Sequence, residues 1–271
     1  MNMIRLTTAL LLLAAFAACK PLTPKAYDLR RVHEIYIEEW ADHYMPTPGS
    51  DLPKSPSWSG SGFARSLTAI REYKARYGGD SREAAHLTVL TGMIYLQSGQ
   101  PGMARLLKND IATSVQKLQA PGGKETRDSL FAQCYPDLIL GWEEVWKFFD
   151  GNKDTEAKAK NLDTAANGIG TKLKTVKDQD RAVDPELDSG ATYLSTTAAI
   201  FFVWADSLRG LVGHSDRKAA ARKGRILLER FLTDEEKADA AFLTGQDQQG
   251  KGRLRYLEWY AWLVKAEAGS L

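Results

Sequence analysis

The first predicted helix holds the side chains best suited to bind a metal ion or to transfer protons. They are His33, Glu34, Glu38, Glu39, Asp42 and His43. Two histidines on one helix bind a single zinc ion when they are four residues apart, but His33 and His43 are ten apart and lie on different faces. Glu39 and His43 would need ligands from elsewhere in the chain, so a solvated acidic face with local ion pairs is the favoured interpretation. We predict no metal site.

Two other spacings resemble chemical motifs but lack the partners that the chemistry needs. Ser114 and Lys117 have the spacing of a serine–lysine nucleophile, and no companion motif accompanies them. Residues 245–251 have the glycine and lysine spacing of a phosphate-binding loop, but Gly252 stands where a magnesium-binding hydroxyl is required. We therefore predict no catalytic residues, no cofactor and no enzyme activity.

The amino terminus carries a targeting signal. Arg5 gives a short positive region, residues 9–18 form an apolar run, and two alanines precede Cys19. This arrangement resembles a bacterial lipoprotein signal that ends in a lipobox, with Phe16 where such signals usually carry leucine. The resemblance implies that the Cys19 thiol is alkylated with diacylglycerol and that the chain is cut before it, which makes 1–18 a signal peptide and 19–25 a lipidated tether. The alternative is an ordinary secretory signal cleaved near Ala18.

Charge and cysteine content restrict the partners. The formal net charge is +2 with 26% charged residues, so nucleic-acid binding is not indicated. Cys134 is the only other cysteine, and its apolar surroundings predict a buried thiol outside any intramolecular disulfide. By the resemblance to lipoproteins, Lys20 in place of an aspartate favours the periplasmic face of the outer membrane. The first predicted partner is the membrane itself, reached through the lipid anchor.

Hydrophobic periodicity is helical along almost the whole chain, and it predicts an all-α domain over 26–271, mostly in antiparallel helix pairs. An internal boundary near 178–190 is left open. Long loops are predicted over 45–62, around Trp58, and over 177–189, and Pro136 is expected to interrupt or begin a helix. Residues 198–205, apolar on every side, predict a central buried helix. Other helices are predicted over 26–44, 63–77, 80–98, 101–118, 162–176, 217–230 and 253–268.

One segment has the spacing of a helical repeat. A 34-residue frame that starts at Ala85 places Gly92, Tyr95, Gly99 and Ala104 on the Gly, Tyr, turn-Gly and Ala positions of a tetratricopeptide repeat. The resemblance implies an α-solenoid with a concave binding groove, and an irregular helical bundle is the alternative. Tyr95, Trp142 and the loop residue Trp58 are the candidate partner-binding residues.

The clearest cluster of positive charge lies on the predicted helix over 217–230. Each cation near a phospholipid surface contributes about 1 kcal/mol, so this face is a candidate membrane contact, with a solvated helix face as the alternative. The candidate residues are Arg217, Lys218, Arg222, Lys223 and Arg225.

Three functions fit these patterns. The leading expectation is a lipid-anchored periplasmic scaffold or assembly factor that binds another envelope protein through a tetratricopeptide-like surface. The alternative is a binder of a small ligand in a deep aromatic-lined cavity, because the plan resembles the lipoprotein T components of tripartite ATP-independent periplasmic transporters. An envelope enzyme is the third expectation, and it would require a cleft where His33, His43 or Glu39 meets polar groups from distant parts of the sequence.

Overall fold

The computed structural model describes residues 23–41, 48, 63–78, 81–149, 154–240 and 252–271. Within these ranges the chain forms twelve α-helices and no strand, which confirms the all-α prediction. No helix in this part of the chain is both long and apolar enough to cross a bilayer. The helices are α1 (Pro24–Ala41), α2 (Ala64–Tyr77), α3 (Arg82–Gln97), α4 (Pro101–Leu106), α5 (Lys108–Leu118), α6 (Arg127–Phe149), α7 (Thr155–Leu173), α8 (Asp178–Val183), α9 (Pro185–Gly210), α10 (Arg217–Glu229), α11 (Asp234–Ala240) and α12 (Gly252–Ala268).

Local sequence signals set several helix ends as predicted. Gly78 ends α2 at a φ of 84°, in the left-handed region that glycine adopts without strain. Gly99, with a φ of 70°, connects α3 to α4, and the predicted hairpin forms because α3 packs against both α4 and α5. The helix predicted over 101–118 is divided at Leu107 into α4 and α5.

Two expectations drawn from proline are wrong. Pro136 lies inside α6 and is exposed to solvent. The helix continues through it because Cys134 and Leu138, on either side of the proline, are both fully buried in the main core. The segment predicted as a loop over 177–189 is helical. Asp184 Oδ1 accepts hydrogen bonds from the backbone N–H groups of Glu186 (3.0 Å) and Leu187 (3.1 Å), so Pro185 stands at the first position of a capped helix.

The main hydrophobic core extends from Ala85 to Ala266 and is centred on α9, in which every residue from Gly190 to Asp206 is buried. The prediction of a central buried helix over 198–205 is confirmed. A second, smaller apolar cluster joins α1, α2 and the opposite face of α3. Helix α3 therefore belongs to both clusters. The buried members of the second cluster are Val32, Phe63, Ile70, Tyr73, Leu87 and Ile94.

Helices α1, α3, α6 and α9 lie side by side and run in the same direction. Residues near the start of one helix contact residues near the start of the next, and later residues contact later residues. A second series of helices, α2, α5 and α7, follows them in the chain and packs against them. This order favours the solenoid among the two predicted architectures. The contacts that establish the direction are Lys25–Glu83, Tyr36–Gln97, His86–Asp128, Gly92–Tyr135, Phe131–Tyr193 and Trp142–Trp204.

Candidate functional site

A cavity of about 270 Å³ lies where the second apolar cluster meets the main core. Five helices line it: α1, α3, α6, α9 and α12. Its walls combine aromatic and aliphatic side chains, and charged or polar groups gather on one part of the wall. The aromatic and aliphatic lining residues are Tyr36, Phe131, Tyr193, Tyr256, Val89, Leu90 and Met93, and the polar ones include His33, His86, Gln97, Arg127 and Asp128.

A chain of hydrogen bonds joins three helices across the polar wall. Nδ1 of His86 on α3 is hydrogen-bonded to the Asp128 carboxylate on α6, and its Nε2 lies 2.7 Å from Nε2 of His33 on α1. The two imidazole rings are stacked with their centroids 4.7 Å apart. All three side chains are partly or largely removed from solvent. The chain therefore places a carboxylate and two imidazoles, far apart in sequence, against one cavity.

His86 donates from Nδ1 to the Asp128 carboxylate, and a single proton lies between its Nε2 and Nε2 of His33. Burial lowers the pKa of His33 to about 4, and the nearby His86 and Arg127 act in the same direction, whereas Asp128 opposes them. Burial by itself would raise the pKa of Asp128, but His86 and Arg127 bring it below its ordinary value of 3.8. At neutral pH, His33 is therefore neutral and Asp128 is ionised.

Arg127 and Gln97 complete the polar wall. The Arg127 guanidinium donates through Nε to Asp128 Oδ1 at 3.3 Å, and its Nη2 is 3.5 Å from Glu186 Oε2. Its aliphatic stem lies against Gly190, where a Cβ atom would come within 2.7 Å of Arg127 Cγ. Gln97 is 4% exposed, and its Oε1 accepts a hydrogen bond from the Tyr36 hydroxyl at 3.3 Å. Burial raises the pKa of Tyr36, so this hydroxyl remains protonated.

The polar side chains of the cavity are bound to protein partners in a way that does not form a metal centre among the described residues. Both ring nitrogens of His86 are engaged with protein partners, and no group of three or more His, Cys, Asp or Glu side chains suited to a metal occurs among the described residues. Glu39, considered with His43 as a metal ligand, instead accepts from the backbone N–H groups of Arg65 (3.1 Å) and Ser66 (2.9 Å) and caps the start of α2. His43 lies outside the described residues.

The two candidate partner-binding residues that the structure describes, Tyr95 and Trp142, do not line this cavity. Trp142 is 8% exposed and packs edge-on against Phe201 and Trp204, with centroid distances of 5.7 Å to each ring. Tyr95 is half-buried against the main core. Trp58 and the lipidation candidate Cys19 lie outside the described residues. Tyr95 and Trp142 therefore both pack in or against the main hydrophobic core.

The basic residues of α10 divide into two groups. Arg217 donates through Nε to Asp206 at 2.9 Å, and Arg225 forms ion pairs with Glu229 and Glu267. Lys218, Arg222 and Lys223 are exposed, with Arg222 3.9 Å from Glu267 and the Lys223 ammonium 5.6 Å from the centroid of the Phe202 ring. Contact of this face with a membrane stays a prediction, carried mainly by the exposed group.

Comparison with known proteins adds no relative. No family model, no curated protein and no solved structure matches this chain. Of the polar wall, sequence reasoning singled out only His33, as part of an acidic helix face. His86, Asp128 and Arg127 carry no shared local signal, because they meet His33 only through the side-by-side packing of α1, α3 and α6.

Proposed function

We propose that this protein is a lipid-anchored envelope protein that binds a small ligand in the cavity between α1, α3, α6, α9 and α12. The observation that carries the proposal is an aromatic-lined cavity with polar groups gathered on one wall. This combination is typical of small-molecule sites, whose volumes begin near about 300 Å³. It supports the small-ligand binder that the sequence offers as the alternative to a scaffold.

The size of the cavity is sufficient for a small ligand. A water molecule takes about 30 Å³, so a cavity of about 270 Å³ has room for a whole organic molecule. It also lies among α1, α3, α6 and α9, the row of parallel helices that forms the groove-lining layer in a solenoid.

Acid–base chemistry on the bound ligand is a second candidate. His33 meets His86 and Asp128 from distant parts of the chain, as the expectation for an envelope enzyme required. A carboxylate that orients an imidazole is the arrangement that prepares a general base. Both nitrogens of His86 are engaged, however, so binding remains the primary proposal.

The binding function is tested with the small fluorescent dye 2-naphthol, which is uncharged at neutral pH and whose fused rings are close to the cavity in size. We expect saturable binding to the full chain, and loss of that binding in Ser189→Trp, because Ser189 is an exposed residue on the cavity wall and the indole fills the space. Thr113→Trp on α5 is the matched control, since Thr113 is equally exposed and lies away from the cavity. Equal dye binding by wild type and Ser189→Trp would refute the proposal.

A further inference from the structure

The contact between the two imidazoles of the polar wall can hold only one proton. Nε2 of His33 and Nε2 of His86 are 2.7 Å apart, within the distance of one hydrogen bond, and Nδ1 of His86 is already engaged by Asp128. Two arrangements of charge fit this geometry: both rings are neutral, or one positive charge lies on His86 beside the carboxylate. If both rings were imidazolium ions, two N–H groups would point at each other and the contact would break.

The surroundings of the pair also repel a second positive charge. The two ring centroids are only 4.7 Å apart, and Arg127 acts on His33 as a further positive neighbour. Asp128 opposes this repulsion, but its negative charge already serves His86 and Arg127. The phenols that α9 and α12 bring to the cavity, Tyr193 and Tyr256, carry no charge below neutral pH. The other charged side chains of α1 and of the adjoining starts of α3 and α9 are Lys25 (paired with Glu83), Asp28 (with Arg76), Arg30 (with Glu34), Glu38 (with Arg65), Glu39 (which caps α2), Glu186 (3.5 Å from Arg127), Asp188 (paired with Arg181) and the exposed Arg31 and Arg82.

Helices α1 and α2 form a unit of their own at the end of the row of parallel helices. The main hydrophobic core begins at Ala85 on α3 and includes no residue of α1 or α2. Helix α1 packs mainly against α2, and the pair meets α3 through the second apolar cluster and through a few polar contacts. A unit with so small an apolar attachment can open locally while the main core stays intact. The polar contacts are Lys25–Glu83, His33–His86, Tyr36–Gln97 and Lys74–Thr88.

Separation of this unit from α3 would open the cavity. Helix α1 contributes His33 and Tyr36 to the lining, and the other lining residues belong to α3, α6, α9 and α12. The hydrogen bond between Tyr36 and Gln97 joins α1 to α3 further along the same wall. A ligand in the cavity therefore loses one whole wall when α1 and α2 move away.

We propose that the contact between His33 and His86 is a pH-sensitive switch: acidification charges both imidazoles, the α1–α2 unit separates from α3, and the cavity releases its ligand. The separation is a property of the fold alone. Only the release of a ligand rests on the proposed binding function.

The expected size of the response follows from proton linkage. The pKa of His33 is about 4 while the ring is buried in the contact, and it returns to the ordinary 6.5 once the ring is exposed to water. The open form therefore takes up a proton below pH 6.5 that the closed form excludes. The ratio of open to closed molecules should rise by about 30-fold between pH 7.5 and pH 5.

The separation is measured as the distance between two spin labels by pulsed electron paramagnetic resonance. Glu72→Cys on α2 and Thr171→Cys on α7 place the labels at exposed positions of the full chain, which also carries Cys19→Ala, while the buried Cys134 stays unlabelled. We expect a single distance at pH 7.5 and a second, longer distance that grows toward pH 5.

Two histidine variants test whether the contact causes this change. His33→Gln keeps an amide near the position of Nε2 but gains no charge, so it should keep the single distance at both pH values. His214→Gln, at an exposed histidine between α9 and α10, is the matched control and should respond as the wild type does. Circular dichroism at each pH establishes that the helices remain folded.

Release of the ligand is measured by equilibrium dialysis with 2-naphthol, whose phenol-type hydroxyl stays uncharged over this range of pH. The wild type and His214→Gln should bind 2-naphthol more weakly at pH 5 than at pH 7.5, by up to about 30-fold. His33→Gln should bind it with the same affinity at both pH values.

The outcomes separate the switch from the binding function. A distance that stays constant in the wild type down to pH 5, or that changes equally in His33→Gln, overturns the switch, and so does loss of the helical signal over the same range. Binding of 2-naphthol that is independent of pH in the wild type overturns the control of the ligand and leaves the cavity as a binding site. A pH-dependent distance without binding of 2-naphthol at either pH removes the proposed function and leaves the separation of α1 and α2 in place.

Discussion

The buried imidazole of His33 predicts a loss of stability between about pH 6.5 and about pH 4. Burial lowers the pKa of His33 to about 4 in the folded chain, whereas the ring has its ordinary pKa of 6.5 in the unfolded chain. Above pH 6.5 both states hold the ring neutral, and it contributes no pH dependence there. Below pH 6.5 the unfolded state takes up a proton that the folded state excludes, so the free energy of unfolding falls with pH.

The size of this effect follows from the two pKa values. The gap between 6.5 and about 4 corresponds to at most about 3 kcal/mol of unfolding free energy, reached once the pH lies below 4. Asp128 acts in the same direction but in a lower range of pH. Its pKa is lowered in the folded chain, so its stabilising contribution is present above 3.8 and is lost as the pH falls further. Measurements between about pH 7.5 and about pH 4 therefore separate the contribution of His33 from that of Asp128.

Urea unfolding followed by circular dichroism checks the prediction. His33→Asn keeps a polar side chain at this position but cannot titrate, so the difference in unfolding free energy between wild type and variant should change by up to about 3 kcal/mol across this range. His214→Asn, at an exposed histidine between α9 and α10, is the matched control for the loss of one imidazole. Parallel pH profiles for wild type and His33→Asn would refute the argument from burial.

Two further predictions concern the main body of the fold. Asp206 is 3% exposed, and its carboxylate accepts hydrogen bonds from Ser215 Oγ (3.0 Å), Asp216 N (2.6 Å) and Arg217 Nε (2.9 Å). Asp206→Ala should therefore lower the free energy of unfolding, measured by urea unfolding, by about 3 kcal/mol. Asp178→Ala, at an exposed position, should lower it by much less. Burial raises the pKa of the Cys134 thiol, so a thiol reagent should label the folded Cys19→Ala chain far more slowly than the urea-unfolded chain; equal labelling rates would contradict the burial of Cys134.

Helix ends were predictable wherever one or two residues decide the local conformation. Gly78 ends α2 because glycine adopts a positive φ, and the Thr-x-x-Glu spacing of Thr233 and Glu236 forms a capping box through two backbone hydrogen bonds of 2.8 and 3.1 Å. The same reasoning failed at Pro136 and Pro185. Proline removes one hydrogen-bond donor in either place, but its consequence depends on the packing around Pro136 and on the cap that Asp184 provides for Pro185.

The polar wall of the cavity could not be predicted, because its members share no sequence spacing. His33, His86 and Asp128 belong to three helices, and the sequence singled out only His33, as part of a solvated acidic helix face. What brings them together is the side-by-side register of α1, α3 and α6. That register depends on core contacts such as Gly92 against the Tyr135 ring, where a Cβ atom would lie 2.6 Å from Tyr135 Cζ.

The placement of the cavity follows from the way α1 joins the rest of the chain. Its apolar side packs with α2 and one face of α3 into the second cluster, and polar contacts also connect it to α3, among them Tyr36 with Gln97 and His33 with His86. Polar pairs fix the distance and register between two helices without filling the space between them as interlocking aliphatic side chains do. Helices joined by such contacts leave a cavity between them that a ligand can occupy. Replacing His33 and His86 by leucines would bring α1 closer to α3 and reduce the volume of that cavity.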